Sequence, residues 1–439
     1  MSEEALGRNR AVAHNLRGSE AQAQSVEWRR LKWAAFWAIT SGYGFYYVCR
    51  LSFSVARGPM ARDGVFDPAE MGMIGSAFFI AYAVGKLLSG LLADRVNVRM
   101  FMVVGLAASG AVNLLLGFTT AFWAFLVFWC LNGCFQSFGA PSSVVTLSRW
   151  FHDGERGTFY GFWSASHNLG EAMTFVGTAM IVAAFGWTWG FRAAGIACLA
   201  MSVILWILLP DRPRTYGLRE VCPPASHPAF SMTRRQLSVL RNGAVWIIAG
   251  ASACFYVTRY AVNSWGIFFL EVEKGYSTAE ASALVSLNAV AGILGTLTSG
   301  LISDHLFQGR RNVPALLFGI LYAIATAQFV LGPADPLLDG ASMCVFGVAL
   351  GVLLVYLGGL IAVDLCSKEV SGTALGVVGI ASYVGAAVQD VISGWLVEST
   401  HVNGTVTYDF HAAGMLWIGA AIASFLLPAL LWNKTANAH

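Results

Sequence analysis

MFMVVGLAASGAVNLLLGFTTAFWAFLVFWCLNGCFQSFGAPSSVVTLS, residues 100–148, runs for 49 residues without an Asp, Glu, Lys, Arg or His. That length holds two membrane-crossing helices of about 20 residues with a turn between them. Outward from it the same character continues: of 439 residues, 56% are hydrophobic and 12% charged, where a soluble domain has about 45–50% and about 25%. A soluble two-domain enzyme is excluded. The chain reads as an all-α, polytopic membrane protein.

Apolar runs bounded by charges or turn residues predict twelve transmembrane helices, near 33–56, 70–93, 100–118, 121–147, 157–184, 190–209, 244–270, 277–302, 313–331, 337–363, 371–397 and 411–432. The longest polar stretch, 210–242, separates two groups of six. The expected organisation is a cytoplasmic segment 1–32, a six-helix bundle 33–209, a cytoplasmic linker 210–243, a second bundle 244–432 and a tail 433–439. Residues 1–32 lack the apolar core of a signal peptide, so the first helix serves as the insertion signal. With the N-terminus in the cytoplasm, 20 of the 27 basic residues fall on that side and only Arg57, Arg62 and Lys274 outside. Such an asymmetry fixes orientation and returns the C-terminus to the same side. The net charge of +3 is spread by this rule and does not point to nucleic acid. Eight scattered cysteines show no metal-ligand or disulfide spacing and read as small core residues.

The two groups of helices echo one another. Phe45-Tyr-Tyr-Val-Cys-Arg50 returns as Cys254-Phe-Tyr-Val-Thr-Arg259, and Gly90-Leu-Leu-Ala-Asp94-Arg95 as Gly300-Leu-Ile-Ser-Asp304-His305. Arg156-Gly157-Thr158, with Gly161 and Gly170, returns as Ser371-Gly372-Thr373 with Gly376 and Gly385. Three echoes in one order predict two six-helix halves of common design, with substrate near the bilayer midplane between them. The Gly-x-x-x-Asp-Arg loop resembles that of the major facilitator superfamily. Arg156-Gly-Thr-Phe-Tyr-Gly-Phe-Trp163-Ser-Ala-Ser-His167-Asn168-Leu-Gly170-Glu171 is similar to the signature of the organophosphate:phosphate antiporters within it, with Ser164 in place of the usual Asn and Glu171 in place of a second Gly. The resemblance covers about 33–432. It implies the twelve-helix facilitator fold and a family of hexose-phosphate, glycerol-3-phosphate and phosphoglycerate carriers, together with a hexose-phosphate sensor.

Arg50 and Arg259 interrupt apolar helices, where an ionised side chain costs about 2.5–3.5 kcal/mol. Their equivalent places in the repeat turn both toward the midline, and a guanidinium fork suits phosphate because it bonds bidentately and stays charged. The bland alternative is a structural pair with a buried carboxylate, but neither helix supplies one beside them; the resemblance also implies that this pair binds phosphate. Tyr43 and Tyr47 share a face with Arg50, and Tyr256 with Arg259; they read as pore-lining hydroxyls or as an interfacial belt. Tyr356 and Tyr383 join them on the resemblance. Lys86 either adds positive potential or snorkels to the surface. His167 either bonds phosphate and senses its protonation or is a satisfied core histidine. Glu171, one turn later, tunes specificity or anchors His167; Asp390 tunes it too or bridges helices. Asp94, Arg95, Arg99, Asp304, Arg310 and Arg311 lie at helix ends, as gating contacts or as topology signals.

The leading expectation is a secondary transporter that exchanges inorganic phosphate for an organophosphate by alternating access, acting as a monomer in a bacterial inner membrane. The alternative is a membrane sensor of hexose phosphate that signals to a partner kinase. Proton-driven drug efflux would call for an acidic pocket and no symmetric arginines. No catalytic residue, cofactor or metal is expected, and without a Gly-x-x-x-x-Gly-Lys-Ser/Thr loop the energy comes from gradients.

Overall fold

Twelve helical spans carry the chain back and forth in a computed structural model that describes residues 3–93, 96–218, 237, 239–308, 311–366, 370–402 and 405–431, with most of their side chains from 26 onward. The first six are α1 (Glu3–Arg62), α2 (Pro68–Ala93), α3 (Val98–Leu116), α4 (Phe122–Gln136, resumed by Gly139–Trp150), α5 (Asp153–Phe185) and α6 (Trp187–Leu208). The second six are α7 (Gly243–Glu273), α8 (Thr278–Leu301), α9 (Asn312–Leu331), α10 (Pro336–Val355, continued to Asp364), α11 (Ser371–Leu396) and α12 (His411–Ala429). Eleven of these are long and apolar enough to cross a membrane by composition. The exception, α1, is diluted by its aromatic and basic residues, yet it packs between α5, α6 and α7 inside the bundle.

Three departures from the sequence reading have simple causes. First, α1 begins thirty residues before the apolar run, because the sequence between Glu3 and Trp33 holds no proline to stop a helix. Second, β1 (Glu398–Val402) pairs antiparallel with β2 (Thr405–Asp409), where no regular element was expected. Third, the cysteines are not uniformly core: Cys49 and Cys198 are buried, but Cys344 is exposed and Cys130, Cys134, Cys254 and Cys366 are half-buried. A small apolar residue suits a lipid-facing surface as well as an interior, so sequence pattern alone does not separate the two.

Within the first half α2 packs on α4, α3 on α6 and α1 on α5; the halves meet where α2 packs on α11, α5 on α8 and α1 on α7. Two glycines enforce this geometry. At Gly170 of α5 a Cβ would lie 2.3 Å from the carbonyl oxygen of Gly44 in α1. Gly170→Ala therefore forces two backbones apart, an overpacking that costs about 1–3 kcal/mol, whereas Gly177→Ala on the same helix meets open space. Thermal unfolding in detergent should show a lowered Tm for the first variant and an unchanged or raised one for the second. Gly359 adopts φ 146° inside a wide turn over Tyr356–Leu360, which kinks α10.

The face where α6 ends and α7 begins is called the terminal face below. At the opposite face lie all three basic residues expected outside, each paired with a carboxylate. Arg62 bonds Glu271 at 2.8 Å, and Lys274 bonds Asp339 at 2.5 Å. Tyr276 donates to the same carboxylate, and its phenol is pushed up to about 12 by burial and by that bond. Arg57 is 1% exposed and sits against Asp390. A bundle this long places these helix ends against each other, and enclosed charges there need partners.

Candidate functional site

A cavity of about 730 Å³ opens between the halves, walled by α1, α2, α4 and α5 on one side and α7, α8, α10 and α11 on the other. Its lining residues occupy the end of each helix nearer the terminal face, so the cavity opens there. The kink in α10 brings Leu354, Val355 and the backbone of Gly358–Leu360 to the wall.

Arg259 lines this cavity at its base. It is 4% exposed, and its guanidinium lies 5.6 and 5.4 Å from the ring centres of Tyr256 and Tyr260. Arg50 is 5% exposed and lies one layer deeper than the symmetric reading placed it, outside the cavity wall. Its Nη2 donates to the Tyr260 hydroxyl at 2.8 Å, and the rings of Tyr47, Phe78, Tyr82 and Tyr383 surround it. Tyr260 thus separates the two cations, and aromatic faces offset part of their burial cost. No carboxylate among the described residues comes within 4.0 Å of either guanidinium. The Nε of each is buried without a hydrogen-bond partner among the described residues. The structural-pair alternative is not what these arginines do.

Most of the other candidates converge on the same space. Tyr43, Tyr47, Lys86, His167, Tyr256 and Tyr383 line the cavity. Tyr47 lies 5.6 Å from the His167 ring, and the Lys86 ammonium lies 5.2 Å from the Tyr383 ring. The buried His167 Nε2 has no hydrogen-bond partner among the described residues, nor has the Trp163 Nε1. Tyr356 does not join them: the wide turn in α10 directs it into the second half, where its hydroxyl donates to the Ser299 carbonyl at 2.6 Å. Sequence reasoning gave no role to Tyr82, Tyr160, Trp163 and Tyr260, which the structure sets around the site. The signal was present, since Tyr82 lies one turn before Lys86, and Tyr260 follows Arg259 directly.

Below the cavity, contacts between the halves close the opposite end. Glu171 of α5 accepts a hydrogen bond from Asn263 Nδ2 of α7 at 2.5 Å. Asp390 takes the bridging role: Arg57 donates to both its oxygens at 3.1 and 3.0 Å, and Trp265 Nε1 donates at 2.5 Å. Phe79 meets Tyr260 with ring centres 4.5 Å apart, and Tyr82 meets Tyr383 at 4.8 Å. At the terminal face the described contacts stay within one half. Arg99 donates to the Trp206 carbonyl and covers that ring, and Arg311 pairs with Asp364. Lys32 pairs with Glu155 there. Asp94, Arg95, Arg310 and the side chain of Asp304 lie outside the described residues.

The sequence and the fold have known counterparts. The chain is 33% identical to the membrane sensor protein UhpC of Salmonella typhimurium, over 96% of each chain. It is 34% identical to a probable hexose phosphate transport protein of Chlamydia pneumoniae, over 84% of this chain and 86% of that one. The solved nucleoside transporter NupG shares the fold, with a TM-score of 0.71 at 16% identity over 92% of this chain and 99% of that one. Residues 36–390 match the family model of the Major Facilitator Superfamily. With its twelve spans in two echoing groups around a central cavity, the chain belongs to the major facilitator superfamily.

Proposed function

We propose that the protein is a secondary transporter that exchanges inorganic phosphate for an organophosphate, such as a hexose phosphate or glycerol 3-phosphate, by alternating access in a bacterial inner membrane. The observation that carries this reading is the pair of buried arginines, without a carboxylate partner among the described residues and separated by one tyrosine at the base of a cavity between the halves. A buried, unpaired guanidinium is unfavourable until an anion supplies the missing charge, and phosphate matches its fork. The names of the relatives support the substrate class. The chain works as a carrier rather than an enzyme, as a monomer and without a cofactor.

The distribution of Lys and Arg supports a cytoplasmic terminal face, with the segments 1–32, 210–243 and 433–439 on that side of the bundles 33–209 and 244–432. The cavity then opens to the cytoplasm. An anion entering it meets Lys86, His167, the tyrosine hydroxyls and Arg259. Its charge draws Arg50 and the tyrosines between them inward, and the halves close over it. Opening on the other side requires the Arg57–Asp390, Arg62–Glu271 and Glu171–Asn263 contacts to part. Arg99 and Arg311 then exchange their partners within each half for contacts across the terminal face, with Asp94, Arg95, Asp304 and Arg310 as neighbouring charges.

Because a ligand shifts an equilibrium only by its differential affinity, the anion must bind the closed intermediate more tightly than either open form. Exchange should then outrun net flux. Proteoliposomes preloaded with phosphate should take up labelled phosphate much faster than vesicles loaded with sulfate at equal ionic strength and clamped potential. Equal rates would overturn obligatory exchange, and binding of a hexose phosphate without any flux would overturn the transporter reading.

A further inference from the structure

Resting on the exchange reading, we propose that Glu171 sets the charge of the cargo: it limits the fixed positive charge at the site so that phosphate monoesters with no other negative group are accepted and esters bearing a carboxylate are disfavoured. Glu171 lies one turn past His167 on α5, and Asn263 one turn past Arg259 on α7. Their 2.5 Å hydrogen bond therefore fixes the carboxylate beneath the cavity, on the axis between the halves. It is 2% exposed, and Arg259 and then Arg50 are the basic groups whose field reaches it. Asp390 and Glu271, buried carboxylates that also meet the other half, are paired with Arg57 and Arg62.

Among the described residues, the unpaired charges around a bound anion are thus three cations, Arg50, Arg259 and Lys86, and one carboxylate. The balance is two positive charges, the complement of a phosphate monoester dianion. A cargo with a third negative charge exceeds that complement and meets Glu171 in an interior where charge is poorly screened. Glu171 does not line the cavity, so it acts through the field and through Arg259 rather than by touching the cargo.

The test compares two three-carbon probes that differ by a carboxylate, glycerol 3-phosphate and 3-phosphoglycerate, as competitors of labelled phosphate. Competition is read both in proteoliposome exchange and in equilibrium binding to detergent-solubilised protein. Wild type should prefer glycerol 3-phosphate. Glu171→Gln should shift the ratio toward 3-phosphoglycerate by about tenfold, the scale of one unscreened charge over a helical turn, and Glu171→Asp should keep the wild-type ratio. Glu171→Gly serves the same purpose if the Gln variant fails to insert. A ratio unchanged within about twofold in the charge-removing variants, or shifted equally in Glu171→Asp, overturns the proposal, since a structural role would move both probes together. Absence of exchange in the wild type would instead overturn the transport reading, while the binding ratio would still decide the role of Glu171.

Discussion

Arg50→Lys and Arg259→Lys are each expected to lower phosphate exchange by about a hundredfold, because losing a charge-assisted fork in a buried site costs up to about 3 kcal/mol. The two positions should fail for different reasons. Arg259 lines the cavity, so its replacement weakens capture directly and should raise the concentration of phosphate needed for half-maximal exchange. Arg50 lies behind Tyr260, to which it donates at 2.8 Å. Its replacement leaves the entrance intact but removes the planar fork that reaches Tyr260 and draws the halves together, so it should lower the maximal rate more than the apparent affinity. An ammonium at either place keeps the charge and loses the planar geometry. Exchange of labelled phosphate in proteoliposomes, with equal amounts of monodisperse protein, separates these outcomes. Normal exchange by both lysine variants would remove the arginines from the site.

Why these residues stood out in the sequence while others did not follows from what a one-dimensional pattern records. The helices were legible because a membrane span must be long, apolar and free of charge, so the charges that remain are conspicuous. Arg50, Arg259, Lys86 and His167 could be picked out on that ground, and the repeat placed the two arginines in equivalent positions. The repeat could not show that the halves differ in detail. Tyr260 has no tyrosine counterpart at Leu51, and its hydroxyl is what holds Arg50 one layer below Arg259. Tyr356 enters as a candidate on the family resemblance, but its direction is set by a wide turn and a glycine at φ 146°, which period counting does not reveal. Cysteine exposure was misread because lipid and core select the same side chains.

The closure at the opposite face was the least legible part. Arg57 and Asp390 are separated by 333 positions, and each has an ordinary explanation in isolation, a basic residue near a helix end and a polar residue in a small-residue helix. Only the packing of α1 against α7 and of α2 against α11 brings them together. Gly75 of α2 makes room for the pair: a Cβ there would lie 1.8 Å from Asp390 Oδ2 and 2.6 Å from Arg57 Nη2. Gly75 thus marks where charged side chains from two other helices meet, a meaning that becomes readable once the neighbours are known.

Breaking that pair should have the second large effect, on which face of the protein is open. Arg57 and Asp390 are both 1% exposed at the side chain, held by two hydrogen bonds and a third from Trp265, with the Phe53 and Trp265 rings 4.8 and 4.1 Å from the guanidinium. Asp390→Asn leaves the guanidinium buried without its counter-charge, a loss of about 3–5 kcal/mol. That penalty applies while the opposite face is closed. Once the halves part there, water reaches Arg57 and solvates it, so the loss falls on one conformation and shifts the equilibrium by a factor of about a hundred or more toward opening. Ser264, 6% exposed and lining the small pocket shared by Arg50, Arg57 and Asp390, reports the change. On a background without native cysteines, Ser264→Cys should react slowly with a membrane-impermeant thiol reagent added from the opposite side, and much faster once Asp390→Asn is added. The double replacement Arg57→Leu with Asp390→Leu should return labelling toward the slow rate, because an apolar pair has no buried charge to hydrate. Unchanged labelling in Asp390→Asn would mean that the seal rests on aromatic packing alone. Fast labelling in the double variant as well would mean that the bond itself, rather than relief of an unpaired charge, keeps the face closed.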